Sequence, residues 1–230
     1  MVKGLLMDLG NTIVYNMNFD FNKGLKRIYD LACHPQISIE EFLEFNNYLK
    51  TKSYDNRGNI EIKLIDYISF IKSYFDLYFN LSLTELEIEF VKAAEEIKLI
   101  SEVKKVLEYA KGNNIKVVIL SNSTFSKNAI VEQLKPLNIL HLIDELLISS
   151  ECLFRKPEKL FFDLGIKTIN ENIENILYIG NDYKFDIIGA KNAGLKIGWF
   201  NEHHLPNHLN IDCFEFDNYK KLLHYLEGVS

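Results

Sequence analysis

Short, nearly unbroken apolar runs recur along the chain: Val2 to Met7 before Asp8, Ile115 to Leu120 before Ser121, Glu145 to Ile148 before Ser149, Ile176 to Ile179 before Gly180, and Lys196 to Phe200. Runs of this length without polar alternation predict strands covered on both faces, as in a parallel sheet. Helical stripes lie between them. Val103, Val106, Leu107 and Ala110 form one, Ile130, Leu134 and Leu137 another, and Leu160, Phe161, Leu164 and Ile169 a looser third. Strands alternating with helices build right-handed crossovers and a doubly wound α/β sheet, whose ligands sit outside the carboxyl ends of the strands.

Residues 16–97 break this alternation. Leu64, Ile68, Ile71, Phe75 and Tyr78 recur at helical spacing, Ser38 with Glu41 is a capping-box pattern, and Leu25, Ile28 and Ala32 mark an earlier helix. The stretch also differs in composition. It holds 9 basic and 14 acidic residues and 14 of the 29 aromatic ones, so it carries most of the chain's net charge of −6. It reads as an all-helical insertion. The expected division is a Rossmann-like α/β core over 1–15 and 98–230 and a helical cap over 16–97, which accounts for 230 residues being long for one domain and short for two.

Hydrophobic residues at 47% and charged residues at 25% describe an ordinary folded chain and exclude disorder, collagen and coiled coil. The negative balance speaks against non-specific binding of nucleic acid or an anionic membrane. No run reaches 18 apolar residues, and the first residues lack a signal-peptide pattern. Cys33, Cys152 and Cys213 are scattered and odd in number, as free thiols in a reducing compartment would be. The expectation is a cytoplasmic protein, monomeric or a weak homodimer, with no nucleic-acid or membrane partner.

The candidate chemistry ends the apolar runs. Asp8, in Met7-Asp8-Leu9-Gly10-Asn11-Thr12, is a carboxylate delivered to the sheet edge, suited to a nucleophile, a metal ligand or a loop cap. Ser121 opens Ser121-Asn122-Ser123, whose hydroxyl and following N–H groups can bind an oxyanion. Lys156 precedes Pro157, a residue suited to the first position of a helix. Gly180-Asn181-Asp182-Tyr183-Lys184-Phe185-Asp186 sets two acids at i and i+4, which repel unless a cation such as Mg²⁺ joins them.

Together, Asp8 with Thr12, Ser121, Lys156, and Asp182 with Asp186 resemble, in order, the four motifs of the haloacid dehalogenase superfamily of phosphohydrolases. Gly189-Ala190 and Ala193-Gly194-Leu195 match the helix and turn that follow, and the family inserts a helical cap after its first motif. The resemblance implies that Asp8 attacks phosphorus and forms an aspartyl phosphate, with Lys156 assisting. It also implies that Ser121, Asn122 and Lys156 bind the phosphate of a small substrate, and that Asp8, the Gly10 carbonyl, Asp182 and Asp186 hold Mg²⁺. Asp8, Asp182, Asp186 and a phosphate dianion total −5, against +3 from Mg²⁺ and Lys156, so neutral donors must meet the remainder. Arg155 is expected to point outward.

Gly10 departs from the pattern. Most phosphatases of the family carry a second aspartate there, which protonates the leaving group. Its loss predicts a preference for good leaving groups, such as aryl or acyl phosphates, since a positioned general acid contributes about 10²- to 10⁴-fold. Asn181 stands where the last motif usually has its first acid, which shifts the acidic pair by one. Two other readings fit the same residues: a 2-haloacid dehalogenase, in which the aspartate attacks carbon without a metal, and a phosphate-binding protein with weakened catalysis.

Overall fold

The run Gly4–Met7 is buried at every position and forms the central strand. The computed structural model describes residues 1–228. In chain order the elements are β1 (Gly4–Met7), β2 (Val14–Met17), α1 (Phe21–Leu31), α2 (Ile39–Lys52), α3 (Leu64–Tyr74), α4 (Leu83–Ala94), β3 (Glu96–Leu99), α5 (Val103–Gly112) and β4 (Lys116–Ser121). There follow α6 (Lys127–Leu134), β5 (Glu145–Ile148), α7 (Ser149–Cys152), α8 (Lys159–Ile169), β6 (Ile176–Gly180), α9 (Ile188–Asn192), β7 (Lys196–Phe200), β8 (Phe214–Phe216) and α10 (Tyr219–Glu227).

All five apolar runs are strands of one six-stranded parallel sheet, ordered β5-β4-β1-β6-β7-β8. The sixth strand, Phe-Glu-Phe, is too short to show a period. Successive side chains of β1 leave on opposite faces. Leu5 and Met7 join one apolar cluster with Val117, Ile119, Leu177 and Ile179, and Leu6 joins the other with Val118, Leu120, Tyr178 and Phe162. Helices α5, α6 and α10 supply the first cluster and α8 and α9 the second, which is why the strands show no polar alternation.

Helix α8 turns a different face inward from the one its leucines suggest. Phe161, Phe162, Gly165 and Ile169 are buried, while Leu160 and Leu164 are exposed. Gly165 selects that face, because a Cβ there would lie 2.8 Å from Leu6 of β1. Pro157 is not in the helix. It follows Lys156 through a cis peptide bond, and the helix begins at Lys159 with Glu158 as its N-cap.

The segment between β2 and β3 holds α1 to α4. Capping boxes open α2 at Ser38 and Glu41 and α4 at Ser82 and Glu85. Helix α3 buries Leu64, Ile68 and Ile71 and stops at Tyr74, leaving Tyr78 exposed beyond it. The insertion is not helical to its ends. Strands β2 and β3 pair antiparallel, with Asn16 opposite Ile97, so the chain leaves and re-enters the core through one ribbon. Each of these strands has four residues and outward-facing positions, too little for a hydrophobic period to register.

The helical segment is bonded to the core. The N–H of Glu61 donates to the Leu153 carbonyl at 2.9 Å, that of Arg155 to Asn59 at 3.0 Å, and that of Leu64 to Thr124 at 2.9 Å. Glu87 of α4 accepts a 2.8 Å bond from the N–H of Ser126, at the start of α6.

Candidate active site

Register brings the chemistry together. Met7 is level with Ile119 of β4 and with Ile179 of β6, so Asp8, Ser121 and the turn Asn181–Asp182 emerge at one carboxyl edge. The N–H of Asp8 donates to the Ile179 carbonyl at 2.8 Å, which fixes where the strand delivers its carboxylate. Asp8, Gly10, Ser121, Asn122, Lys156, Asn181, Asp182 and Asp186 all line one cavity of about 410 Å³.

Lys156 is the hub. Its buried ammonium donates to Asp8 Oδ1 at 2.6 Å, to Asp186 Oδ1 at 2.7 Å and to the Tyr178 hydroxyl at 3.1 Å, using all three of its hydrogens. Asn122 holds the lysine in place by a reciprocal pair. Its Oδ1 accepts from the Lys156 N–H at 2.7 Å and its Nδ2 donates to the Lys156 carbonyl at 3.0 Å. The Asn122 side chain therefore positions the lysine, and its backbone N–H with the second Nδ2 hydrogen remains for an anion. Burial pushes the Asp8 carboxyl up to about 6 against the opposing pull of Lys156. For Lys156, burial would lower the pKa, but the carboxylates of Asp186 and Asp8 outweigh it and the net direction is upward.

The two late acids differ in circumstance. Asp186 accepts from Lys156 and from Tyr178 (2.6 Å) on Oδ1, and from the N–H groups of Asn181 (3.1 Å) and Asp182 (2.9 Å) on Oδ2. Four donors saturate it. Gly180 makes this fold-back possible, since a Cβ at that position would lie 2.5 Å from Asp186. Asp182 is exposed, and its Oδ1 caps the following π-helical turn, Tyr183–Ile187, through the N–H groups of Lys184 (2.8 Å) and Phe185 (2.7 Å). Its second oxygen is not used by that cap.

Among the described residues no three His, Cys, Asp or Glu side chains converge as a metal cage. A Mg²⁺ site needs less, because that ion keeps waters and is bound through one or two carboxylates and substrate oxygens. Asp8, whose Oδ1 keeps a second lone pair beside the one given to Lys156, and Asp182 fit that demand, as does the Gly10 carbonyl, which accepts no hydrogen bond among the described residues. Asp186, already saturated, fits it least.

Residue 10 has a neighbour that the sequence did not flag. A Cβ on Gly10 would stand 3.1 Å from Asn16 Nδ2, so the ribbon places an exposed amide where a longer side chain would extend. Arg155, expected to point outward, instead turns to the helical segment, with Nε 3.4 Å from Glu61 Oε2. Glu61 also pairs with Arg57 at 2.9 Å and accepts from Ser149 Oγ at 2.8 Å. Tyr178, Arg57 and Glu61 were not singled out from the sequence. Tyr178 sits inside an apolar run and carries no signal; Glu61 between Ile60 and Ile62, four residues after Arg57, is a weak one.

The sequence model of the family described as haloacid dehalogenase-like hydrolase matches residues 5–200, and the chain belongs to that family. Pyrimidine 5'-nucleotidase PynA of Streptococcus pneumoniae is 34% identical over 86 residues, 36% of this chain and 36% of that protein. The chain thus matches about a third of that curated relative's length. Among solved structures, a HAD phosphatase from Thermococcus onnurineus superposes with a TM-score of 0.64 at 20% identity, covering 99% of both chains. A 2-haloacid dehalogenase from Pseudomonas syringae pv. Tomato does so with a TM-score of 0.68 at 15% identity over 100% of both. At such identities the two structures share the fold with this chain, and they span its full length.

Proposed function

We propose that the chain is a Mg²⁺-dependent phosphohydrolase acting on small phosphorylated metabolites, with residues 16–97 as its cap. The observation that carries this reading is Lys156 Nζ clasped between Asp8 and Asp186 at the cavity. A buried cation on one oxygen of a strand-end carboxylate orients the other oxygen for attack and offsets charge as a dianion approaches. In the first step an Asp8 oxygen bonds to phosphorus and the leaving oxygen departs with its electron pair. Water then attacks the aspartyl phosphate, releasing inorganic phosphate and restoring the carboxylate.

Ser121 and the Asn122 N–H donate to the phosphoryl oxygens, the Ser123 N–H being held by Ser149 Oγ at 2.9 Å, and Lys156 neutralises one charge. Asp182 rather than Asp186 is the late acid suited to the metal, together with Asp8 and the Gly10 carbonyl. Bound there, Mg²⁺ would supply charge compensation for the phosphoryl oxygens. No carboxyl stands at position 10 to protonate the departing oxygen, so turnover favours leaving groups that are stable as anions. The similarity to a pyrimidine 5'-nucleotidase supports phosphomonoester chemistry.

A phosphate-ester panel assayed with Mg²⁺ tests the reading. Phosphate release that stops in EDTA and in Asp8→Asn is expected. Halide release from 2-haloacids that persists in EDTA would overturn it.

A further inference from the structure

The catalytic groups form only part of the cavity. Its other wall is built by the β2–β3 ribbon, α6 and the loop residues beside them: Phe19, Ile97, Phe125, Ile130 and Leu134 are apolar, and Glu95 and Gln133 are polar. A volume of about 410 Å³ is more than a phosphoryl group needs, and it falls within the usual range for small-molecule sites, about 300 to 1,000 Å³. The wall therefore has to be explained by what the phosphate is attached to.

Phe19 is 50% exposed, and its ring lies 6.4 Å from that of Phe125 at 47°, so the two rings do not cover each other's faces. Gln133 Nε2 donates to Glu95 Oε2 at 3.2 Å, which fixes the pair. Gln133 Oε1 and Glu95 Oε1 accept no hydrogen bond among the described residues, so neighbouring acceptors are left at the cavity wall. Two acceptors among aromatic and aliphatic side chains suit a flat ring carrying N–H donors. A carboxylate there repels a second phosphate or carboxylate, which disfavours bisphosphates and phosphorylated acids.

We propose that this wall is a leaving-group subsite for the base of a nucleoside monophosphate, stacked on Phe19 and Phe125 and recognised at its N–H edge by Gln133 and Glu95. The inference rests on the phosphohydrolase reading and deepens it. Binding energy from such a ring, remote from phosphorus, is of the kind enzymes spend on orienting the reacting centre, and here it compensates for the acid missing at Gly10.

Equilibrium binding to Asp8→Asn protein with Mg²⁺ separates the ring from the chemistry. Ribose 5-phosphate and nucleoside 5'-monophosphates share the same primary alkoxide leaving group and differ in the base. At least one nucleotide is expected to bind about tenfold or more tightly than ribose 5-phosphate, the scale of base–aromatic stacking. Phe19→Ala and Gln133→Leu, each introduced into the Asp8→Asn protein and checked for an unchanged urea transition, should cut that advantage to about threefold or less, because polar edge recognition and stacking are both required. Equal affinity for ribose 5-phosphate and every nucleotide, absence of nucleotide binding, or an advantage untouched by both variants would overturn the proposal. Turnover by the unmodified protein distinguishes the two readings. Phosphate ester hydrolysis without ring preference sinks the subsite alone, whereas tight nucleotide binding without any hydrolysis sinks the phosphohydrolase.

Discussion

Lys156 is held by two carboxylates, and each of them depends on it. Lys156→Met would leave Asp8 and Asp186 facing each other without a cation, and breaking a buried ion pair from one side costs about 3 to 5 kcal/mol. Urea denaturation should show a loss of that order, together with loss of turnover. A shift below about 1 kcal/mol would mean that solvent already screens the cluster. Gly10 gives the second test at this scale. A Cβ there is tight against Asn16 Nδ2, at 3.1 Å, but Asn16 is exposed and free to swing away, so Gly10→Asp should fold. Its turnover should rise at least about tenfold on sugar and alkyl phosphates and much less on aryl phosphates, since a restored acid matters most for poor leaving groups. Equal effects on both substrate classes would contradict the role given to Gly10.

Among the elements, the buried parallel strands were legible because their covering helices on both faces remove every polar position, and polar residues at their ends then stood out. That is how Asp8 and Ser121 stood out and how Asp182 and Asp186 were paired, whereas Lys156, in the loop before Pro157 and not at a strand end, was marked by the family resemblance. The missed elements lacked such a signature: β8 has three residues, and β2 and β3, though as long as β1, are each exposed at two of their four positions. The different fates of Asp182 and Asp186 were also illegible, since only the fold-back at Gly180 turns Asp186 to Lys156 and Tyr178 and leaves Asp182 at the surface. At α4, Glu87 is pushed above the ordinary carboxylate value by burial, although Ser126 partly offsets this. The folded state then holds the Glu87 proton more tightly than the unfolded chain does, so ionisation costs stability. That cost should vanish as pH falls through the raised value to below the ordinary 4.5. Glu87→Gln can still accept from the Ser126 N–H and donate to its hydroxyl, so it lacks this titration. The stability of the unmodified protein relative to Glu87→Gln should rise toward acid pH in urea melts, and a flat difference would contradict the assignment. Glu87→Ala should cost about 1 to 3 kcal/mol by stranding the Ser126 donors.

For the whole molecule, the acidic, aromatic-rich stretch that stood apart in composition is joined to the core by a ribbon and by the contacts of Asn59, Glu61, Leu64 and Glu87. Its negative charge does not oppose phosphate binding uniformly, because Arg57 and Glu61 pair at the cavity and Glu89 pairs with Arg27 away from it. The central claim is that Asp8 becomes phosphorylated. Acid quenching milliseconds after mixing with an aryl phosphate and Mg²⁺, followed by peptide mass analysis, tests it most directly. The expected result is one phosphoryl group on the peptide containing Asp8, absent from Asp8→Asn and from protein mixed in EDTA. Phosphate release by Asp8→Asn at the unmodified rate, with no adduct in either protein, would contradict the account.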